Sequence, residues 1–529
     1  MSKVIKTPTA LAMSLFASAL LAIASSAFSQ PVPGKNSSDA SSQDNKRLER
    51  FEKQVDVLRD LLQIPGMSAA IIKDQDVLWA KGFGFVDLEH HTPVTPNTVF
   101  HLASITKTFA ATLILKLVEE GKLDLDEPMS HYSSDFKDDS VTIKHLLTHT
   151  SQGTPGQRFQ YSGNRYGYLK DVIEKKYGKP YLNVVVETFF DPLEMSSSVP
   201  YHNVVADADK WRASLGQDHL DRYKQIISRL SPGYTLYGDD EIIQVPYPLP
   251  GYVGASAGIL STVLDIAKFD VAIDRHIFLN KETQEKAWTA SVSNSGERLP
   301  YGLGWFVMDY NGLKLTWHTG HWGTGYSALY FKVPEKNVTL VLLANSEALV
   351  DHQYQIGQPM VDDAVNNVFV ADFLRLFVFE EMRGRELPEP TWTLDTREFS
   401  NELTRLSKQS AGYTYDCERT SQTALATWRE QRRAQARVAI ELDPKVLDAY
   451  VGDYQFEPAP HDIHTVSREG GRLFINWPKD FKSELFAESE STFFVKVSPV
   501  QLRFTKNEGK ITQIEFLTGG NTLRMKKIK

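Results

Sequence analysis

His101-Leu102-Ala103-Ser104-Ile105-Thr106-Lys107-Thr108-Phe109 opens an apolar run that reaches Leu117 and stops at Gly121. Its spacing predicts a helix from about Ser104 to Glu120. Residues three apart on a helix share a face, which sets Lys107 beside the Ser104 hydroxyl. A serine attacks a carbonyl only when a neighbour takes its proton, and a lysine can do so only with a depressed pKa. Burial depresses it, and Phe109, Ala110, Ala111, Leu113, Ile114, Leu115 and Leu117 leave little polar surface around it. Ser104 at the helix start also presents its own N–H to a developing oxyanion. Taken alone, the four residues read first as a helix cap followed by a surface lysine.

The flanking sequence separates these readings. Val94-Thr95-Pro96-Asn97-Thr98-Val99-Phe100 leads into the run, and Leu117-Val118-Glu119-Glu120-Gly121-Lys122 closes it, with Leu123-Asp124-Leu125-Asp126 directly after. His145-Leu146-Leu147-Thr148-His149-Thr150-Ser151 and Asp191-Pro192-Leu193-Glu194-Met195 follow in order. Together these stretches, over residues 47–383, resemble the serine β-lactamase and penicillin-binding-protein superfamily, in its class C β-lactamase-related branch. That branch also holds peptidases acting on D-amino acids and esterases. The resemblance implies an α/β fold with an antiparallel sheet and a helical subdomain.

The resemblance also assigns roles. Tyr161, in Phe159-Gln160-Tyr161-Ser162-Gly163, stands where the family has Tyr-x-Asn. It would share a proton with Lys107, as base in acylation and acid toward the leaving group. The family asparagine, which binds the amide side chain of β-lactam drugs, is replaced by Gly163, with Asn164 one residue late. The third motif, Lys-Thr-Gly on an edge strand, stands as Trp317-His318-Thr319-Gly320-His321. His318 there would act as a neutral hydrogen-bonding group rather than a fixed cation. The His321 N–H would be the second oxyanion donor beside that of Ser104. Gly320, Gly323 and Gly325 would let substrate backbone approach.

The rest of the chain sets the context. Lys3 and Lys6, the apolar stretch Ala10–Ala24 and Ala27-Phe28-Ser29 form a secretory leader over residues 1–29. Residues 30–46 read as a disordered leader, and Leu48–Leu62 as a helix. Met67–Lys73 and Val77–Gly82 read as strands, and Ser327–Val333 with Val338–Ala344 as a hairpin. Asp362–Glu381 reads as an amphipathic helix against that sheet, so the sheet draws on both ends of the hydrolase domain. The aromatic stretch carrying Tyr234, Tyr237, Tyr247 and Tyr252 is expected to wall the site. Residues 384–442 read as a stiff linker and a charged helical connector, with Arg429, Arg432, Arg433 and Arg437 on a solvated face. Residues 443–529 alternate short β runs with Gly, Asp, Asn and Pro, and are similar to lipocalin-like β-barrel domains.

Composition narrows the function. With 58 basic and 66 acidic residues the net charge is −8, and no basic block is present to bind nucleic acid. Cys417 is the single cysteine, which excludes internal disulfides, zinc ribbons and iron–sulfur clusters. His145 and His149 have helical zinc-ligand spacing without a third ligand, so no metal and no cofactor are expected. The reading is a secreted, periplasmic serine hydrolase with no stable membrane insertion once the leader is cut. It would cleave an amide or ester through an acyl-enzyme on Ser104. The favoured substrates are small or non-standard peptides, D-residue-containing or cyclic-peptide fragments. A carboxylesterase is the alternative, followed by a β-lactamase or a non-catalytic penicillin-binding sensor. The oligomeric state is left open.

Overall fold

The computed structural model describes residues 38–238, 240–245, 254–323, 325–354, 363–477, 481–518 and 521–529. The expected leader at 1–29 lies outside them, as do Tyr247 and Tyr252. The first described element is helix α1, Ser38–Leu61. It begins well before the expected Leu48, because the polar residues at its start have partners: Asp44 pairs with Arg47 and with Lys73. The tail of the segment read as disordered is therefore helical.

A seven-stranded antiparallel sheet follows. Its strands are β1 (Gly66–Lys73), β2 (Asp76–Asp87), β3 (Thr92–Pro93), β4 (Phe306–Tyr310), β5 (Leu313–His321), β6 (Ser327–Val333) and β7 (Val338–Ala344). Their spatial order is β3-β2-β1-β7-β6-β5-β4. The N-terminal and C-terminal strands of the hydrolase domain thus meet where Met67 pairs with Ala344 and Lys73 with Val338. Side chains alternate across a pleated strand. Met67, Ala69 and Ile71 enter one core with α1, while Ala70 and Ile72 enter the other, with helices α2 (Thr106–Glu119) and α3 (Val263–Asp274). A strand buried on both faces reads as a continuous apolar run, as β1 does.

The segment read as one amphipathic helix at 362–381 is instead helix α4 (Val368–Leu374), a π-helical turn over Arg375–Phe379, and a last turn over Glu380–Arg383. Every residue of α4 is buried. One side meets the sheet, where Phe373 packs edge-on against Phe331. The other side is covered by the connector, whose helices are α5 (Thr396–Gln409) and α6 (Asp416–Gln435). Leu387, Trp392, Phe399, Leu403, Leu406, Leu425 and Trp428 share the core of α1 and the sheet. Cys417 Sγ on α6 donates to the Val365 carbonyl at 3.3 Å. Apolar residues of the linker and helical connector thus pack into the hydrolase core.

The C-terminal residues form a closed barrel of eight antiparallel strands between Gly452 and Lys527, with a core of its own. It meets the hydrolase domain through polar bridges. Tyr237 donates to the Arg437 carbonyl and its ring stacks 6.1 Å from Phe494, and Lys496 pairs with Glu241. Between the two lies a cavity of about 760 Å³ lined by Tyr237, Gly323, Arg432, Arg437, Phe494 and Lys496, among others.

Candidate active site

Ser104 sits on a 3-10 turn, Ala103–Ile105, that runs straight into α2. The turn is placed by short pairings on its N-terminal side: Phe100 and His101 pair with Ser261 and Leu260, and Leu102 N–H donates to the Ile259 carbonyl. Ala103 has φ of +46°, a left-handed conformation that costs a non-glycine residue energy. Its N–H donates to His101 Nδ1 at 2.9 Å. The bonds on either side of Ala103 hold this strained backbone at the residue preceding Ser104.

Lys107 is buried one turn on. Its Nζ donates to Ser104 Oγ at 2.9 Å and to the Ser256 carbonyl at 2.9 Å. Burial lowers its pKa to about 7, so that near neutrality a large fraction is a free amine. The Tyr161 and Tyr166 rings flank the amine at 5.0 and 5.5 Å from their centroids. Tyr161 stacks on Phe306 on one side and lies 4.2 Å from the His149 ring on the other. Ser162, the next residue, caps the short helix Gly163–Gly167. A Cβ built on Gly163 would lie 3.9 Å from Lys107 Nζ, so a side chain has room there and its absence leaves open space beside the amine.

His318, Gly320 and His321 come from the end of β5. The strand is not the edge of the sheet as expected, since β4 lies outside it. The β4 pairing ends at Phe306 with Trp317, however, and residues 318–321 overhang it with that flank uncovered by β4. The open flank exists because β4 is short. Gly320 faces the Ser104 turn: a Cβ there would stand 2.1 Å from the Leu102 carbonyl oxygen. Only glycine allows the strand and the Ser104 turn to come this close.

His318 is fully buried. Its Nδ1 lies 2.7 Å from the Thr319 carbonyl and its Nε2 2.9 Å from Tyr301 Oη. The network fixes the proton on Nδ1, with Nε2 accepting from the tyrosine. Burial, then the charge on Lys107, lowers its pKa to about 3, so the ring is neutral. Both nitrogens are spent inside the protein, and His318 supports Tyr161 and Phe306 from behind, with ring centroids 6.4 and 5.5 Å away. The His321 side chain reaches Asp351, with Nε2 3.4 Å from Oδ1.

Three members of the cluster did not stand out in the sequence. Ser256 contributes only a carbonyl, which any residue type would supply. Tyr301 is 17 residues from His318 and meets it only through the sheet. His149, read in the sequence only as half of an incomplete zinc-ligand pair, packs against the Tyr161 ring. Its Nδ1 accepts the Ser162 N–H at 3.2 Å, and burial, then the charge on Lys107, lowers its pKa well below the ordinary value. His145 has a different task, its Nδ1 accepting the Thr142 N–H at 3.0 Å in a helix cap. Among the described residues no group of three His, Cys, Asp or Glu side chains converges as metal ligands would.

Of the aromatic stretch expected to wall the site, Tyr234 and Tyr237 lie within the described residues. Tyr234 is buried and its hydroxyl accepts from Leu88 N–H, while Tyr237 faces the cavity beside the barrel. Arg432, read as solvated, bonds Glu347 and Asp351 with a side chain only 16% exposed.

The arrangement offers a hydroxyl with an amine in contact, a phenol nearby, and a strand overhang next to the Ser104 turn. The model of the family described as Beta-lactamase matches residues 53–358, and that of a domain of unknown function, DUF3471, matches residues 436–526. Penicillin-binding protein 4* of Bacillus subtilis (strain 168) is 24% identical over 473 residues, covering 82% of this chain and 88% of that protein. The octameric penicillin-binding protein homologue from Pyrococcus abyssi, a solved structure, is similar with a TM-score of 0.50 at 21% identity, covering 90% of this chain and 100% of that chain. At that identity the likeness is one of fold.

Proposed function

The chain belongs to the β-lactamase and penicillin-binding-protein superfamily of serine hydrolases, and from that premise we propose that it cleaves small or non-standard peptides through an acyl-enzyme on Ser104. The observation that carries the reading is the 2.9 Å contact between Ser104 Oγ and a Lys107 amine whose pKa burial lowers to about 7. In its neutral form Lys107 takes the Ser104 proton as Oγ bonds to the carbonyl carbon. The Ser104 and His321 N–H groups receive the oxyanion. Tyr161 and Lys107 return a proton to the leaving nitrogen as the C–N bond breaks. Water then adds to the acyl carbonyl, gives up a proton to the same pair, and releases the acid while Ser104 regains its hydrogen.

The related protein's name says that it binds penicillin, a cyclic amide, which supports an amide carbonyl as the target. The leader pattern at 1–29 supports export to the periplasm, where such peptides occur. A carboxylesterase is the second reading, and two features favour it. His318 is neutral with both nitrogens occupied, so the third motif offers no fixed cation for a substrate carboxylate. Gly163 offers no amide to hold the acyl side chain. The same two features place β-lactam hydrolysis third.

Intact mass after exposure to a fluorophosphonate tests the reading. One adduct on the wild-type chain and none on Ser104→Ala is the expected result, and turnover of D-residue peptides, esters and penicillins then ranks the substrates. No adduct on either protein would leave a sensor that binds without acylation.

A further inference from the structure

Arg432 lies between the two segments that the family models match, 53–358 and 436–526, in a stretch that neither covers. It nevertheless reaches carboxylates of the hydrolase domain beside the end of β5. Its guanidinium bonds Glu347, lies 3.2 Å from Asp351 Oδ2, and donates to the Leu236 carbonyl. The two carboxylates grip the two ends of the turn that follows β5. Glu347 Oε2 accepts the Gly325 N–H at 3.2 Å, and Asp351 Oδ1 lies 3.4 Å from His321 Nε2. Thr235 Oγ1 and Trp428 Nε1 complete the network, donating to Glu347 at 2.7 Å and to Asp351 at 2.8 Å.

The charges are interdependent. Glu347 is almost wholly buried and Asp351 largely so, and two such carboxylates side by side repel each other unless a cation sits between them. One nitrogen of the guanidinium, Nη2, serves both carboxylates while Nη1 holds the Leu236 carbonyl, a spread of donors that a single ammonium cannot reproduce with the same geometry. Burial alone would raise Asp351, but His321 and Arg432 together hold it well below the usual carboxylate range. Burial likewise opposes charge on His321, yet Asp351 and Glu347 raise its pKa above the ordinary value.

We propose that Arg432 is a positioning residue for the hydrolase site. By clamping Glu347 and Asp351 it sets the turn that begins at His321 and so aims the His321 N–H at the carbonyl oxygen of the substrate. The connector helix α6 thereby takes part in acylation without touching substrate. The proposal rests on the reading of Ser104 as the acylated nucleophile. A donor displaced by a fraction of an ångström loses much of its hold on the transition state while ground-state binding changes little.

The test uses the full chain with Arg432→Met and Arg432→Lys. In R432M the rate constant for fluorophosphonate acylation at saturating reagent should fall about 10- to 100-fold with little change in the half-saturating concentration, and R432K should recover part of it. Hydrogen exchange should quicken in peptides covering His321 to Tyr326, while those from the interior of β6 keep wild-type protection. Wild-type acylation by R432M, unchanged exchange at the turn, or exchange that quickens evenly through the sheet would each overturn the proposal. If R432M does not fold, R432K must show both changes in smaller degree, and wild-type values in it overturn the proposal equally. A wild-type chain that is not labelled at all removes the nucleophile reading, while the exchange measurement still decides whether Arg432 holds the turn.

Discussion

Lys107 carries opposite consequences for activity and for stability. Below pH 7 its amine is protonated and cannot accept the Ser104 proton, so acylation should fall about tenfold per pH unit there and level off above. A pre-steady-state pH profile of acylation checks this, and a rate unchanged down to pH 5 would remove Lys107 as the base. The stability sign runs the other way from a salt-bridged lysine. The folded-state pKa, about 7, lies below the ordinary 10.5, so across that interval the unfolded chain binds a proton that the folded chain has released. Stability at this position is therefore lowest below pH 7 and rises from there toward pH 10.5. Lys107→Met should abolish acylation yet raise the melting temperature. The gain should be greatest at pH 6 and shrink steadily as pH rises to 10, as thermal melts across that range would show.

The approach of β5 to the nucleophile turn makes Gly320→Ala a sharp test at the scale of elements. The added methyl must displace either the Leu102 carbonyl or the strand, and both carry oxyanion donors in the proposed mechanism. Acylation should drop by about 100-fold or more with a far smaller change in stability, read from labelling kinetics and urea unfolding side by side. How far elements could be read from sequence follows the range of the interactions that make them. The hairpin Ser327–Val333 with Val338–Ala344 was legible to the residue, because both strands are apolar β runs around a turn at Pro334. Ser104 and Lys107 were legible because helical spacing alone brings them together. The overhang of β5 was not, since it depends on where the neighbouring β4 stops. Nor was the burial of α4 on all sides, because the cover comes from the connector, whose charged residues read as solvent-facing until the apolar stripe of α5, Phe399, Leu403 and Leu406, is placed. His149 and Tyr301 needed the folded sheet to reach Tyr161 and His318.

At the scale of the whole molecule, the hydrolase domain with its connector and the barrel bury separate cores and meet through polar bridges such as Lys496 with Glu241 and Arg437 with Glu488. Bodies joined in this way unfold semi-independently. Calorimetry should therefore resolve two transitions, the larger carrying Ser104 labelling away with it. One cooperative transition of the entire chain would show that the bridges are stronger than their exposure implies. The connector melts with the larger body on this account, since α6 is sewn to it by the Cys417 contact with Val365. That sulfur is the chain's sole thiol and is fully enclosed. A disulfide reagent in the surrounding solution can meet it only during the moments when α6 lifts away. The speed of modification under native conditions is thus a built-in clock for that opening, ticking from one atom with no other sulfhydryl to blur the signal.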